Sequence, residues 1–558
     1  CVGGGQGAAL LLEVAEPMEQ NAFALEVDQD QIATLTFNDR GEKVNKLSRR
    51  NLEELERVVS DLEQRSDIKG LLFRSGKAGN FIAGADVKEI AEIREIEEAG
   101  EKAGAGQELF NRLEDLPFTT LALIRGGCYG GGTELALACD FRVTSDHPKT
   151  RIGLPEVNLG IIPGFGGTYR LPRRVGLTQS ITMITSGKPV DGNKAAKIGL
   201  ADAIYPDAFA EEWSRELLNE RLGEQRPASV ARKARKKRPL RTRLVENTSL
   251  GRRILFSQSK RQIMKKTDGK YPSPLAALSV IGKTHRAGRK RAIQVERSEF
   301  AKLAVSPEAK NLVGLFFAQE KAKHHEIITE GEKPAPVTRA AVLGAGVMGG
   351  KIAWLFSQKD IPVVMKDIAW DAVHKGYSAA NEVYQQLRKR GKYSAGDVNL
   401  KMNKIHGTVD YETIGRPEVV VEAVVERMEV KKRVLGELES RVDRGAIIAT
   451  NTSALSVSEM ASVLEHRDRF AGMHFFNPVN RMPLVEVIRA KESSRETLKA
   501  VATLALSLGK TPVIVSDGPG FLVNRILMPY LNESLIMLDE GVSVVETDRR
   551  FKKYGMPM

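Results

Sequence analysis

Two glycine-rich stretches, each set between an apolar run of strand length and an apolar run of helix length, constrain this chain more than any other feature. The first is Gly126-Gly127-Cys128-Tyr129-Gly130-Gly131-Gly132-Thr133-Glu134, which follows the apolar residues 121–124 and continues as Leu-Ala-Leu-Ala-Cys-Asp to Asp140. Consecutive glycines bring bare backbone close to a partner, and the apolar run after them reads as a buried helix. The first N–H groups of such a helix have no acceptor within it and carry partial positive charge. Negative charge developing on a carbonyl oxygen would be stabilised there. Glu134 falls in the first turn beside that spot, and a second carboxylate, Glu156, follows in Arg151-Ile-Gly-Leu-Pro-Glu156. A first-turn glutamate commonly serves the helix dipole, and Glu156 after a proline reads equally as a loop carboxylate. Alone, neither assigns a role.

The second stretch is Ala340-Ala-Val-Leu343, a short apolar strand, running into Gly344-Ala-Gly346-Val347-Met348-Gly349 and then an apolar helix to Phe356. A further strand over 361–365 ends at Asp367, 23 positions beyond Gly344. In this context G-x-G-x-x-G is a dinucleotide-binding turn, with Gly344, Gly346, Val347, Met348 and Gly349 around the cofactor and Asp367 accepting from the adenosine ribose 2′-hydroxyl. An acid there favours NAD over NADP, although the neighbouring Lys366 would tolerate a phosphate. Residues 419–426 form a strand with Glu422 near its end, and 446–453 bring Asn451 and Ser453 to a strand's carboxyl end, where ligands bind in such sheets. His474 and Glu486, 12 positions apart on two candidate neighbouring strands, suggest an imidazole oriented by a carboxylate. A lone histidine in an apolar strand is more commonly a satisfied core residue; the pairing is what points further.

The remaining chain orders itself around these turns. Phe23–Val27 and 31–37 alternate around Asp28-Gln-Asp30 as a hairpin. Leu52, Leu55, Val58, Val59 and Leu62 recur at helical spacing after Ser48, a candidate N-cap. Residues 69–74 read as a buried strand, 87–98 as a charged helix, and 146–150 as a loop. This alternation indicates an α/β domain. From 208 to about 336 the pattern turns helical and basic. The densest charge run, 231–243, has no interleaved aromatics to stack bases, so a solvated helix face or a phosphate-meeting rim is preferred to a nucleic-acid patch. Residues 329–336, polar and proline-containing, mark a domain boundary.

A length of 558 residues suggests about three or four domains. No apolar run approaches the roughly 18 residues of a membrane span. Three cysteines give no disulfide framework and point to a reducing compartment, with Cys128 and Cys139 reading as packing residues; no metal site is expected. The net charge of +13 suits capture of polyanions, among them coenzyme A and NAD as well as nucleic acid. Residues 1–17 lack a secretory n-region, Met18 reads as the natural start, and the extension is expected outside the fold.

With Phe81-Ile-Ala83-Gly84-Ala85-Asp86 added, residues 20–205 resemble the crotonase (enoyl-CoA hydratase) family. The resemblance implies a β-β-α spiral domain in which the Ala83 and Gly131 N–H groups hold a thioester oxygen. It also implies that Glu134 and Glu156 share one water and that Asp86 lies against the substrate. Residues 337–558 resemble the 3-hydroxyacyl-CoA dehydrogenase family. There His474 would take the hydroxyl proton, Glu486 would orient it, and Ser453 and Asn524, in Asp517-Gly-Pro-Gly-Phe-Leu-Val-Asn524, would bond the substrate oxygen. The expected domains are therefore crotonase over 18–205, a basic helical linker over 206–336, a Rossmann NAD-binding domain over 337–516 and the start of an all-α C-terminal domain over 517–558. That last piece is shorter than the family implies, so the chain is expected to be C-terminally incomplete, which bears on dehydrogenase competence.

This order is similar to the multifunctional α-subunit family of fatty-acid β-oxidation. It implies hydration of trans-2-enoyl-CoA to (3S)-3-hydroxyacyl-CoA and oxidation by NAD to 3-ketoacyl-CoA. A cytoplasmic bacterial-type protein, a homodimer and a thiolase β subunit as partner are also implied, with acyl-CoA thioesters as substrates. Two competitors stand beside it: a Δ3-Δ2 enoyl-CoA isomerase at the same site, and a non-catalytic anion- or nucleic-acid-binding module built on 231–243.

Overall fold

The structure is a computed structural model that describes residues 21–223 and 240–556. The expectations for the extension 1–17 and for 231–239 of the basic run lie outside these residues. The chain divides into two compact units, Cys1–Phe316 and Phe317–Met558.

The first unit begins with strands β1 (Phe23–Val27) and β2 (Ile32–Phe37), an antiparallel hairpin whose turn is held by Asp28, its Oδ1 accepting from the N–H groups of Asp30 and Ile32. Ser48 caps the helix Arg49–Gln64 as its spacing predicts, accepting from Asn51 N–H, and the helix buries Leu55, Val59 and Leu62. The spiral follows. Each turn gives one strand to a large sheet and one to a small layer: β3 (Gly70–Ser75) then β4 (Asn80–Ile82), β5 (Thr119–Ile124) then β6 (Gly127–Tyr129), and β7 (Phe141–Ser145) then β8 (Arg151–Gly153). With β9 (Ala203–Tyr205) the large sheet runs β1-β2-β3-β5-β7-β9 and the small one β4-β6-β8, parallel throughout except for the hairpin. Residues 146–150 are the loop expected between β7 and β8.

The helix expected over 87–98 is instead two, Val87–Glu92 and Ile96–Glu114. Ile93 is extended and buried, and the Lys310 ammonium takes the carbonyls of Ile90, Ala91 and Ile93 that a continued helix would have used. That capping cation comes from a distant segment. The later helices Pro272–Thr284 and Arg289–Ala304 put Ala277, Ile281, Phe300 and Ala301 into the same hydrophobic core as Ala99, Leu109 and Leu135.

The second unit is built on an eight-stranded sheet. Its strands are β10 (Ala340–Leu343), β11 (Val363–Lys366), β12 (Ile405–Thr408), β13 (Val419–Glu422), β14 (Ile447–Thr450), β15 (Phe470–Phe475), β16 (Leu484–Arg489) and β17 (Thr511–Ser516). Their order is β12-β11-β10-β13-β14-β15-β16-β17, parallel except for β15 against β16. Strand order reverses between β10 and β13, which opens a crevice at their carboxyl ends. Helices Val523–Asp539 and Val544–Tyr554 close the described chain. The architecture is therefore the α/β class expected: a β-β-α spiral, a Rossmann sheet and a helical C-terminal piece.

Candidate active sites

In the first unit, the glycine-rich turn becomes the helix Gly131–Ala138, every residue of which is buried. It can start there because Gly132 has no side chain: a Cβ would lie 2.6 Å from Ile82 of β4. Its far end is gripped by the buried Arg142, which donates to the carbonyls of Ala136 and Cys139 and complements the negative helix end. The Gly131 N–H heads this helix and has no acceptor within it. Ala83 differs from expectation, since its N–H donates to the Asn45 carbonyl at 2.8 Å. Asp86, expected against the substrate, caps the helix Val87–Glu92 through Lys88 N–H and pairs with Lys46 at 3.5 Å, though it also lines the cavity described next.

Glu134 and Glu156 line one cavity of about 670 Å³, together with Ala83, Gly131 and largely apolar walls including Leu47, Ile162, Phe165 and Phe300. Glu134 is buried, and its Oε1 accepts from the N–H groups of Phe165 and Gly167 at 2.8 and 2.7 Å. Glu156 opens a single 3-10 turn, Glu156–Leu159, and its buried Oε2 has no hydrogen-bond partner. Burial pushes the Glu156 carboxyl up to about 8, with the charge of Glu296 adding to it against the opposing pull of its own backbone N–H. Burial also drives Glu134 well above the ordinary range, reinforced by the charges of Glu156 and Glu296 and opposed by its two N–H donors. A pair so placed keeps a proton near neutral pH. Burial pushes the Cys128 thiol up to about 12, which leaves it a packing residue.

Glu296 was not foreseen. It is fully buried on the helix Arg289–Ala304 and accepts from Gly166 N–H at 2.6 Å, Thr168 N–H at 2.8 Å, the Thr168 hydroxyl at 2.5 Å and Gln107 Nε2 at 3.2 Å. One signal existed: Ala292, Glu296 and Phe300 are spaced by four, so the glutamate sits on a buried stripe.

In the second unit the glycine pattern fits a dinucleotide. A Cβ on Gly344 would strike the Ala423 carbonyl at 2.5 Å, and one on Gly349 would lie 1.8 Å from the Gly344 carbonyl oxygen, while one on Gly346 would meet nothing within 4 Å. The first and third glycines thus serve the turn and the packing, and the second faces open space where a pyrophosphate can approach. Val347 and Met348 follow in the first turn of the helix Val347–Gln358. Asp367 Oδ2 accepts from Ala345 N–H at 2.7 Å and so braces the turn, with further acceptor capacity left on the carboxylate.

The structure turns the Glu422 side chain inward. It is fully buried, ion-paired with Lys431 at 2.8 Å and bonded by Val424 N–H and the Thr450 hydroxyl, so the carboxylate expected at the cofactor is committed within the sheet. Asn451 uses its Oδ1 on Phe475 N–H.

His474 and Glu486 are direct cross-strand partners of β15 and β16, with Nδ1 to Oε2 at 2.7 Å. The other Glu486 oxygen accepts from Leu522 and Val523 N–H at 3.0 and 2.8 Å, which ties the imidazole to the start of the helix carrying Asn524. Burial pushes Glu486 up, but the His474 bond and the two N–H donors prevail and hold it below its ordinary value. Asn524 Nδ2 donates to the Ser453 carbonyl at 3.0 Å, so these two residues lie together as expected. The imidazole packs against Phe476 and Phe521, with ring centroids 4.6 and 5.9 Å away.

Family models match residues 28–271 (enoyl-CoA hydratase/isomerase), 339–518 (3-hydroxyacyl-CoA dehydrogenase, NAD binding domain) and 520–558 (3-hydroxyacyl-CoA dehydrogenase, C-terminal domain). The chain is 38% identical over 542 residues to the fatty acid oxidation complex subunit alpha of Vibrio parahaemolyticus, covering 97% of this chain and 75% of that protein. It is 39% identical over 545 residues to the protein of the same name from a Psychrobacter species, covering 96% and 74%. One alignment running through both units relates them to a single relative.

Proposed function

This chain belongs to the fatty acid oxidation complex subunit alpha family, and from that premise we propose how its residues divide two reactions. It is a bifunctional enzyme of fatty-acid β-oxidation. As an enoyl-CoA hydratase it adds water to a trans-2-enoyl-CoA, and as an NAD-dependent 3-hydroxyacyl-CoA dehydrogenase it oxidises the product to a 3-ketoacyl-CoA.

Hydration across a conjugated double bond needs a base for the water and an acid for the α-carbon. Glu134, whose Oε1 receives two N–H groups that favour its charged form, takes a proton from the water as its oxygen bonds to the β-carbon. Glu156, with one buried oxygen undonated, gives its proton to the α-carbon. The charge that passes through the thioester oxygen is received by Gly131 N–H at the head of the buried helix. Ala83 joins it only by sharing its hydrogen with the Asn45 carbonyl. Transfer of the proton from Glu134 back to Glu156 restores the pair.

In the second unit NAD, when bound, supplies the hydride acceptor. The turn from Gly344 to Gly349 would hold its pyrophosphate, and Asp367 would accept from the ribose hydroxyl. Glu486 holds His474 by Nδ1, leaving the other ring nitrogen to remove the hydroxyl proton. Ser453 and Asn524 receive the substrate oxygen.

The observation that carries the hydratase reading is the meeting of Glu134 and Glu156 in one cavity whose walls are largely apolar. Crotonyl-CoA with NAD tests both sites together: loss of the conjugated-enoyl absorbance reports hydration and NADH formation reports oxidation. No change in the first signal would overturn the assignment of the pair.

The name of the relatives, a complex subunit, supports a partner, and the 3-ketoacyl-CoA product is what a thiolase cleaves. A thiolase subunit, a homodimer and a cytoplasmic location complete the proposal. Among the described residues no helix is long and apolar enough to cross a membrane. Co-purification with a thiolase chain and the mass of the complex in solution test it.

A further inference from the structure

Residues 165–168 present their backbone N–H groups alternately to two carboxylates from different parts of the chain. Phe165 and Gly167 donate to Glu134, whereas Gly166 and Thr168 donate to Glu296. We propose that Glu296 is a positioning residue for hydration: by holding Gly166 and Thr168 it fixes the register in which the other two N–H groups grip Glu134. The inference rests on the hydratase reading of Glu134.

Its four contacts are all donors, namely two N–H groups, the Thr168 hydroxyl and the Gln107 amide. A carboxylate satisfies every one of them, and an amide cannot, because its NH2 would face a donor. Gln107 Nε2 also donates to the Ile293 carbonyl at 3.0 Å, which locks the helix Ile96–Glu114 to the helix that carries Glu296. The loop has little freedom to drift elsewhere. Phe165 packs edge-on against Phe110, and Arg170 Nη1 donates to the Phe165 carbonyl at 2.8 Å. Glu296 faces the cavity only through this loop and does not line it. Its positional effect therefore passes through Glu134, and its charge, which also bears on Glu156, is kept in the Thr168→Ala variant.

A residue acting through another loses its effect when that other is removed. The test measures crotonyl-CoA hydration by the full chain carrying Glu296→Gln, Glu134→Gln or both. Glu296→Gln is expected to lower kcat about 10- to 100-fold with KM nearly unchanged, the scale of a catalytic group displaced by about an ångström. On the Glu134→Gln background the same substitution is expected to cost less than about twofold. Equal losses on both backgrounds, or a rise in KM with kcat kept, would overturn the proposal by showing a general support of the cavity. Thr168→Ala removes one of the four donors with minimal disturbance and decides the matter should Glu296→Gln not fold. It is expected to give a smaller kcat loss, about threefold, that again vanishes on the Glu134→Gln background, and wild-type kcat in Thr168→Ala would count against the role. If Glu134→Gln itself hydrates at the wild-type rate, the reading of the site falls first.

Discussion

Glu486→Gln is the substitution that most sharply separates orientation from mere packing at the dehydrogenase site. The wild-type carboxylate accepts on both sides: Oε2 from His474 Nδ1 at 2.7 Å, Oε1 from Leu522 and Val523 N–H at 3.0 and 2.8 Å. A glutamine has one accepting oxygen. Two backbone donors face one side and a single ring nitrogen the other, so the amide oxygen goes to the backbone. Turning its NH2 toward those donors would leave them unpaired at about 1–3 kcal/mol each. The NH2 then meets Nδ1, which must become an acceptor, and the ring proton moves to the nitrogen that should take the substrate's proton. The base is blocked with its geometry intact.

General-base contributions of about 10²–10⁴ set the expected loss of kcat, roughly 3–5 kcal/mol in barrier height. NADH formation from 3-hydroxybutyryl-CoA reads it, and hydration by the same chain should be untouched. Glu486→Ala should instead leave the buried His474 Nδ1 and the part-buried Leu522 and Val523 N–H groups without this acceptor and lose about 1–3 kcal/mol of stability. A Glu486→Gln enzyme oxidising within about threefold of wild type would refute the tautomer argument, and equal stability of the two variants would refute the packing half of it.

The other expectations concern the hydratase pair and the glycine turn. Glu134→Gln and Glu156→Gln should each lower hydration by about 100-fold or more, whereas Δ3-Δ2 isomerisation, which shifts a proton with one carboxylate, should survive one of them; survival of hydration in either would refute the shared-water assignment. The unfolded chain releases the Glu156 proton near its ordinary 4.5 and the folded chain near about 8, so between those values the unfolded state binds fewer protons and stability falls as pH rises. Glu156→Gln should flatten that decline in melting temperature, and an unchanged slope would contradict it. Gly349→Ala, its methyl aimed at the Gly344 carbonyl oxygen, should cost about 3 kcal/mol or more of stability. Gly346→Ala should fold normally and weaken NAD at least about tenfold, as measured by fluorescence titration.

Much of the fold was legible because its signals are local. A strand, a glycine turn and an apolar helix announce themselves within about 20 residues, and the alternation around Asp28 or the spacing after Ser48 needs no distant partner. His474 and Glu486 could be matched because two apolar strand-length runs following one another in the sequence pair antiparallel and set the two residues opposite each other. What escaped depends on groups remote in sequence. The break after Glu92 is set by Lys310, the commitment of Ala83 N–H by Asn45, and the grip on the loop at 165–168 by Glu296. Periodicity cannot report which carbonyl a distant ammonium will find.

The buried glutamates show why charge alone would have misled. Glu422 and Glu134 both lie at glycine-rich crevices and both are buried. Glu422 has the Lys431 ammonium at 2.8 Å and the Thr450 hydroxyl on its other oxygen, so both of its oxygens are committed inside the sheet. Among the described residues Glu134, Glu296 and Glu486 form no ion pair with lysine or arginine. They are held by backbone N–H groups, a threonine hydroxyl, an amide or an imidazole. Such donors orient a carboxylate without supplying a full counter-charge, so its affinity for a proton stays open to burial and to its neighbours. A cation in that place would remove the proton the hydration step needs. The arrangement that leaves Glu134 and Glu156 expensive to bury is therefore the one that lets them exchange a proton with water, and Glu422, comfortably paired, is left to brace the sheet.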